Sequence, residues 1–384
     1  MVTVFTPIYN RVYIIENLYQ SLLRQTSFNF EWLIVDDGST DNISTIVKQW
    51  IRNTQKFAIR FYSQKNGGKH RAINRGVQLA RGSAFFIVDS DDYLTDDAIE
   101  TISRYWEPIE NAREFAGVSG LKMYKSGQAI GNSPCFEGYV DATNLERDKY
   151  DLQGDKAEVY KTDILKMFPF PEYEEENFIT EAVVWNKIAY KGYKIRWFNR
   201  GIMVCDYLAD GLTAKGNKLF IDNPRGWAHY IRLYKKYGLV EQKDYLKYCF
   251  PFYENEKAKF SNDEFSLMLD LKKEELDAIL NRYAQFREKL INLCANKHIC
   301  IYAYGNWGKK LKQYLDELEI RVEYVIDRKY ADIEDVKAYS FDADLPKVDL
   351  VFVALKDGAE EVFEALERKM PEIEIVSFGD IKPY

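Results

Sequence analysis

The chain has 384 residues, room for two domains at roughly 100–200 residues each and enough to bury a core without covalent staples. Lys plus Arg number 53 against 60 Asp plus Glu, a formal charge of −7. That excludes the basic footprint of a nucleic-acid-binding protein, while five cysteines with no CxxC pair exclude a disulfide framework and a zinc cluster.

In chain order, residues 2–6 form a short apolar run ended by Pro7, the pattern of a buried strand. Leu18, Leu22 and Leu23 then recur at helical spacing. A second strand, Trp32-Leu33-Ile34-Val35, ends in Asp36-Asp37-Gly38-Ser39, and Ile43, Ile46, Val47 and Trp50 line one helix face after it. Residues 57–62 read as a third strand, 69–80 as a helix and 84–88 as a fourth strand ending in Asp89-Ser90-Asp91-Asp92. Strands alternating with helices predict a mostly parallel α/β sheet with helices on both faces. Ligands bind such sheets at the carboxyl ends of the strands, where the polar clusters at 6–10, 36–39 and 89–92 converge.

Residues 110–215 read as irregular, except for a helix over 181–191. Residues 216–296 read as helical, with Leu276, Ile279, Tyr283, Phe286, Leu290 and Leu293 forming a heptad-like stripe. From 297 the strand–helix alternation restarts. The expected organisation is 1–212 catalytic, 213–296 a helical connector and 297–384 a small α/β module. No signal peptide is expected, because residues 1–5 read as the first strand, and no run approaches the ~18 apolar residues of a membrane span. Scattered cysteines suit a reduced, cytoplasmic setting.

Asp89-x-Asp91 at a strand end is the sharpest chemical feature. Two carboxylates two apart can share one hard divalent ion, Mn²⁺ or Mg²⁺. Between the third and fourth strands, Asn66-Gly67-Gly68 allows close backbone approach, and Lys69, His70 and Arg71 put positive charge beside the acidic edge. Basic groups and a metal together suit a diphosphate.

Thr6-Pro7-Ile8-Tyr9-Asn10, Val35-Asp36-Asp37-Gly38-Ser39, the 66–76 segment and Asp89-Ser90-Asp91-Asp92 occur in that order. Together they resemble the signature set of family 2 glycosyltransferases with the GT-A fold, over roughly residues 1–212. The resemblance implies inverting transfer of a sugar from a nucleotide sugar, a UDP-sugar by preference, to a saccharide or lipid-linked saccharide in surface polysaccharide assembly. It implies that Thr6, Pro7 and Tyr9 line the nucleoside pocket. Asp36 and Asp37 would hold the base and ribose, with Asp37 on a uracil edge. Lys69 and Arg71 would contact base or phosphates, and Ser90 joins these donor contacts. Asp89 and Asp91 match the metal motif, Asp91 as the direct ligand.

The base of the resembled family usually sits in a Glu-Asp pair about eleven residues before a Gly. Here Thr180-Glu181 stands in that place, with Gly192 eleven residues after Glu181, so Glu181 falls on the position of the base. The longer carboxylate arm is a departure from the pattern. Glu174, Glu175 and Glu176 nearby read as a solvated loop. Asp210 and Thr213 belong to a segment that would close over the donor diphosphate.

Other readings stand beside these. Tyr9 suits simple packing as well as a base platform, and Asp210 and Thr213 suit a turn as well as a site. His70, His229 and His298 lack metal-ligand spacing and read as structural or surface residues. A sugar nucleotidyltransferase is the enzymatic rival, disfavoured because Thr6–Arg11 carries no glycine. A nucleotide-sugar-binding scaffold is the non-catalytic one. Trp227, Tyr230, Tyr234 and Tyr237 lie among Arg and Lys residues, which suits helix packing first and peripheral membrane contact second. In the last module, Ala303-Tyr304-Gly305-Asn306-Trp307-Gly308, with Asp327 22 residues after Gly305, is similar to a dinucleotide-binding fingerprint lacking its first Gly. Ligand binding, a structural role and homo-oligomer formation are all compatible with it.

Overall fold

The computed structural model describes the chain except positions 133, 206, 207, 209, 356–358, 383 and 384, and the side chains of 213, 242 and 243. It divides into two compact units, Met1–Gln242 and Lys243–Tyr384, so the helices expected as a connector over 213–296 are shared between them.

The first unit contains β1 (Val2–Ile8), α1 (Glu16–Leu23), β2 (Phe30–Asp36), α2 (Ile43–Asn53), β3 (Ala58–Ser63), α3 (Lys69–Leu79) and β4 (Ala84–Ile87). These are followed by β5 (Tyr93–Leu94), α4 (Ala98–Trp106), β6 (Phe115–Met123), β7 (Tyr139–Ala142), β8 (Lys156–Lys161) and α5 (Thr162–Met167). Then come α6 (Ala182–Tyr190), β9 (Lys194–Val204), α7 (Lys218–Ile221) and α8 (Pro224–Lys236). The strands form one sheet in the order β3-β2-β1-β4-β8-β6-β9-β5, with β7 paired to β9. β3, β2, β1 and β4 run parallel, in a register that sets Ile8 opposite Asp36 and Phe5 opposite Ile87. β8 is antiparallel to both β4 and β6, so the sheet is mixed beyond the fourth strand. This is the α/β architecture expected from the GT-A resemblance.

The parallel half is apolar on both faces, as such strands must be when helices cover both sides. Every residue of β1 and β2 is buried. Leu18 and Leu22 of α1, Val47 of α2 and Ile99 of α4 fill one face against Val4, Trp32 and Ile34. Ile73 and Val77 of α3 and Val184 and Ile188 of α6 fill the other, against Phe5, Leu33 and Val35.

The segment expected to be irregular contains the nine-residue β6 and the eleven-residue β9. Gly117 and Gly120 mask β6 as a strand, since glycine has poor strand propensity. Packing requires at least the first: a Cβ on Gly117 would collide with the Val159 carbonyl of β8.

The aromatic residues after 225 serve packing in this unit. Tyr237 stacks on Tyr190 with centroids 4.3 Å apart, and Tyr230 and Tyr237 lie against the second core face. Among the described residues, no helix is long and apolar enough to cross a membrane.

The second unit carries helices α9 (Gln242–Glu256), α10 (Asn262–Leu269) and α11 (Lys273–Cys294). In α11 the expected stripe is buried at Leu276, Ile279, Tyr283, Phe286 and Leu290, with Cys294 in place of Leu293 as its last member. β10 (Ile299–Tyr302), α12 (Asn306–Glu317), β11 (Val322–Ile326), β12 (Ala338–Tyr339), β13 (Leu350–Val353), α13 (Ala359–Lys369) and β14 (Glu374–Ser377) follow. They build an all-parallel sheet in the order β12-β11-β10-β13-β14. Ala303 adopts φ +67 where the fingerprint would place glycine. The Asp327 carboxylate accepts the Tyr304 and Lys329 N–H groups at 2.7 and 2.8 Å, which commits it to closing its own turns.

Candidate active site

The strand ends of the first unit open onto a cleft of about 1000 Å³. Pro7 lies near the end of β1 and Tyr9 follows it, Asp37 follows β2, Asp89, Ser90 and Asp91 follow β4, Lys69 opens α3 and Glu181 stands at the N-cap of α6; all of them line the cleft, as does Asp210. Tyr9 is half exposed there, with its ring available to a ligand.

Lys69 joins the two chemical ends of this cleft. Its Nζ lies 2.7 Å from Asp89 Oδ1 and 2.8 Å from Glu181 Oε1. Burial alone would lower the Lys69 pKa, but the charges of Asp89 and Glu181 outweigh it and hold the ammonium well above the ordinary lysine range. Burial works against Asp89 as well, yet Lys69 and Lys122 keep its carboxylate below its usual value. Asp91 is pushed up, first by burial and then by the charge of Asp89. Asp92 is pushed up to about 6 by burial and by Asp89 and Asp91, with Lys122 of β6 opposing from 3.6 Å.

Three of the expected donor contacts stand elsewhere. Thr6 is fully buried two residues before the end of β1, and its Oγ1 accepts the Trp32 indole N–H at 2.9 Å. Asp36 accepts the Ser39 N–H at 2.9 Å and the Ser63 hydroxyl at 3.1 Å, and does not line the cleft. Arg71 turns away as well, donating to the carbonyls of Gly67, Tyr173 and Glu176 and to the Glu172 carboxylate. Helical geometry explains this. Positions two apart on a helix point about 200° apart, so Lys69 and Arg71 cannot both face the cleft. The Thr213 side chain lies outside the described residues.

Asp37 reaches the cleft, but its carboxylate already organises the neighbouring turn. It accepts Gln64 Nε2 at 2.7 Å, Gly67 N at 3.1 Å and Gly68 N at 2.7 Å. Gly68 sits at φ +93, and a Cβ there would overlap the Asn177 carbonyl of the loop leading to Glu181. This turn therefore sets the distance between α3 and the Glu181 loop. Asp37→Ala leaves two backbone donors without acceptors. It should cost about 3 kcal/mol at roughly 1–3 per orphaned group, a fall in melting temperature of roughly 6–12 °C for a unit of this size. Thermal denaturation of the variant checks this; an unshifted transition would show that the turn holds without Asp37.

Glu176, read as part of a solvated loop, is buried and caps α8, accepting the Arg225 and Gly226 N–H groups at 2.7 and 2.8 Å. Trp185 lines the cleft, whereas Trp197 is in the core with its indole N–H on the Ala142 carbonyl at 3.0 Å. Asp210 is held by the guanidinium of Arg11 and by the Tyr13 hydroxyl at 2.8 Å.

Sequence reasoning missed Lys122 and Glu158, which β6 and β8 bring to the cleft from the far side of the sheet. The available signal was a single charged residue inside an otherwise apolar run, in Gly120-Leu121-Lys122-Met123 and Ala157-Glu158-Val159-Tyr160.

His70 is buried in the wall of the cleft, and burial first and Arg71 second pull its pKa down to about 4, against the charge of Glu172. His229 is drawn to about 4 by burial and by Arg232, Lys187 and Lys236. Unfolded histidine titrates near 6.5. Between that value and about 4 the unfolded chain binds protons that the folded chain refuses. This stability is therefore complete above pH 6.5 and is lost as pH falls, on the order of 3 kcal/mol for His70 alone. The melting temperature should drop between pH 6.5 and 4.5, and His70→Leu should drop less. Parallel pH profiles for the two proteins would remove His70 from this account.

An acidic strand edge and a carboxylate at the start of α6 thus face one cleft of an α/β fold. Residues 3–114 match the profile of Glycosyl transferase family 2. The chain carries a family 2 glycosyltransferase domain at its N-terminus. It is 37% identical over 141 residues to an uncharacterized glycosyltransferase of Rickettsia felis, covering 36% of this chain and 23% of that one. To the glycosyltransferase GlyG of Streptococcus pneumoniae it is 34% identical over 102 residues, covering 27% and 34%. The chain thus spans about a quarter to a third of the length of these relatives. Among solved structures, S. aureus TarS 1-349 in complex with UDP-GlcNAc aligns with a TM-score of 0.49 at 23% identity, over 72% of this chain and 78% of that one.

Proposed function

We propose that this protein is an inverting glycosyltransferase that moves a sugar from a nucleoside diphosphate sugar, a UDP-sugar by preference, to a hydroxyl of a saccharide or lipid-linked saccharide. The observation that carries this reading is the placement of Asp89 and Asp91 across one cleft from Glu181, with Lys69 between Asp89 and Glu181.

The donor set fits a divalent ion, Mn²⁺ or Mg²⁺. Asp89 and Asp91 supply hard oxygen ligands, and the rise of Asp91 under burial and Asp89's charge marks a spot short of positive charge. Among the described residues no cluster of three or more His, Cys, Asp or Glu side chains forms a full metal cage. That suits an ion held by one or two carboxylates and completed by substrate phosphates. Such an ion, held by Asp91 and Asp89, would supply charge stabilisation for the departing diphosphate.

The chain's own groups do the rest. Tyr9 and Pro7 offer a surface to the nucleoside, with Asp37 and Ser90 beside it. Lys69 keeps Glu181 and Asp89 in fixed relation. Glu181 takes the proton of the acceptor hydroxyl as the new bond from its oxygen to the anomeric carbon forms. The bond from that carbon to the diphosphate oxygen breaks on the opposite face, and its electron pair leaves with the diphosphate, which inverts the centre. Asp210, tied to Arg11, and Thr213 close the diphosphate end in this reading. Surface polysaccharide assembly on the cytoplasmic side of a membrane is the setting we propose.

The direct test is to incubate the purified protein with a panel of nucleotide sugars and Mn²⁺ and measure free nucleoside diphosphate. Release from one donor class is expected. A protein that neither binds nor cleaves any of them is not a glycosyltransferase.

A further inference from the structure

The cleft is lined by more groups than the mechanism uses. Its volume of about 1000 Å³ lies at the top of the roughly 300–1,000 Å³ range that holds a drug-sized ligand. One part of its lining is made by Asn144, Arg147, Lys156, Glu158 and Trp185, with Lys122 of β6. The mechanism uses none of them.

The cations of this part are already engaged. Lys156 donates to the carbonyls of Gln153 and, at 3.2 Å, Ile130. Arg147 donates through Nε and Nη2 to the Leu152 carbonyl at 2.9 and 2.6 Å, and also to the Gly154 carbonyl. Lys122 faces Asp92. Glu158 is different. It stands in the middle of β8, opposite Ser119 of β6, with its side chain 16% exposed. Its nearest cation, Arg147 Nη1, is 3.9 Å away, beyond hydrogen-bond reach, and among the described residues no donor bonds its carboxylate. Burial pushes it up to about 7; Arg147 and Lys122 oppose this, and Glu181 and Asp155 add to it.

A partly buried acceptor group without a protein donor is free to take one from a ligand. A carboxylate in a cleft that accepts no hydrogen bond selects a ligand rich in donors, and its own charge disfavours an anionic one. We propose that Glu158 anchors a neutral, polyhydroxylated acceptor sugar, its carboxylate accepting a hydrogen bond from a hydroxyl other than the one that attacks. This rests on the glycosyltransferase reading above. A uronate in the same place would meet Glu158 with like charge, so the subsite discriminates between neutral and acidic sugars.

The test measures nucleoside diphosphate release by the full chain, with Mn²⁺ and the preferred nucleotide sugar, across increasing concentrations of simple acceptors. The probes are the methyl β-glycosides of glucose, galactose and N-acetylglucosamine, with methyl β-glucuronide as the acidic counterpart. At least one neutral glycoside should stimulate release more than the glucuronide does. Glu158→Ala should raise its half-saturating concentration about 10- to 100-fold, the loss of one hydrogen bond to a charged group. The rate at saturating glycoside should change little. Glu158→Gln, which keeps the shape and part of the bonding, should fall between Ala and the parent and guards against a folding defect in the Ala variant. An unchanged half-saturating concentration in both variants would overturn the proposal. So would preference for the glucuronide, or nucleotide-sugar turnover that no neutral glycoside stimulates. Failure to bind or cleave any nucleotide sugar would instead overturn the glycosyltransferase reading itself.

Discussion

Glu181→Gln should abolish measurable sugar transfer while leaving nucleotide-sugar affinity within a few fold. Removing a positioned base typically costs roughly 10²–10⁴-fold in rate, and glutamine keeps the volume but cannot take the acceptor proton. The position supports the role. Glu181 stands at the start of α6, opposite the strand end that carries Asp89 and Asp91, and Lys69 holds it at 2.8 Å. The substitution also removes the charge that Lys69 faces, so the comparison needs the melting temperature of the variant beside its rate. Loss of transfer with a preserved transition and preserved donor binding is the expected pattern. Transfer within about threefold of the parent would take the base role from Glu181 and return the search to the other carboxylates of the cleft.

Chelation of divalent metal, or Asp91→Asn, should reduce transfer by about a thousandfold, since a metal stabilising a leaving diphosphate is worth several kcal/mol. The two treatments differ in a useful way. Chelation should be fully reversed by added Mn²⁺, whereas Asp91→Asn should need far more metal and recover only in part. Burial and the charge of Asp89 raise Asp91 above the ordinary aspartate range. As pH falls, Asp91 therefore takes up its proton sooner than an exposed aspartate would, and the metal requirement should climb on that acid limb. Transfer that survives both chelation and Asp91→Asn would remove the ion from the mechanism and leave the cleft's own cations, Lys69 and Lys122 among them.

Much of the first unit was legible because its signals are local. The apolar-rich runs of β1 and β2, the 3.6-residue periodicity of α2 and the polar residues at strand ends need only neighbours in sequence. The site was legible to the same depth: Asp89, Asp91, Lys69 and Glu181 do meet in one cleft. Orientation was not legible. Thr6, Asp36 and Arg71 sit in the motifs but point into the core or into adjoining loops. Which way a side chain faces depends on the last residues of a strand or the phase of a helix. Glu176 shows the same limit, since an acidic run reads as solvated until the N-terminus of α8 arrives to occupy it.

By itself the sequence determined the alternation of strands and helices, the acidic and basic segments at the strand ends, and the restart of the pattern after residue 297. These follow from hydrophobic period and turn chemistry, which act over a few residues. Only the tertiary structure decided that β8 enters antiparallel between β4 and β6 and brings Glu158 to the cleft, that β6 brings Lys122, and that Lys69 rather than Arg71 faces Glu181. Those outcomes depend on contacts between residues far apart in the chain, where sheet order and close packing, not local propensity, set the neighbours. The composition that opened the question, a modest net negative charge and no basic footprint, is compatible with this result. The positive charge in the cleft includes a few partly buried lysines, Lys69 and Lys122 among them, which a count over 384 residues does not register.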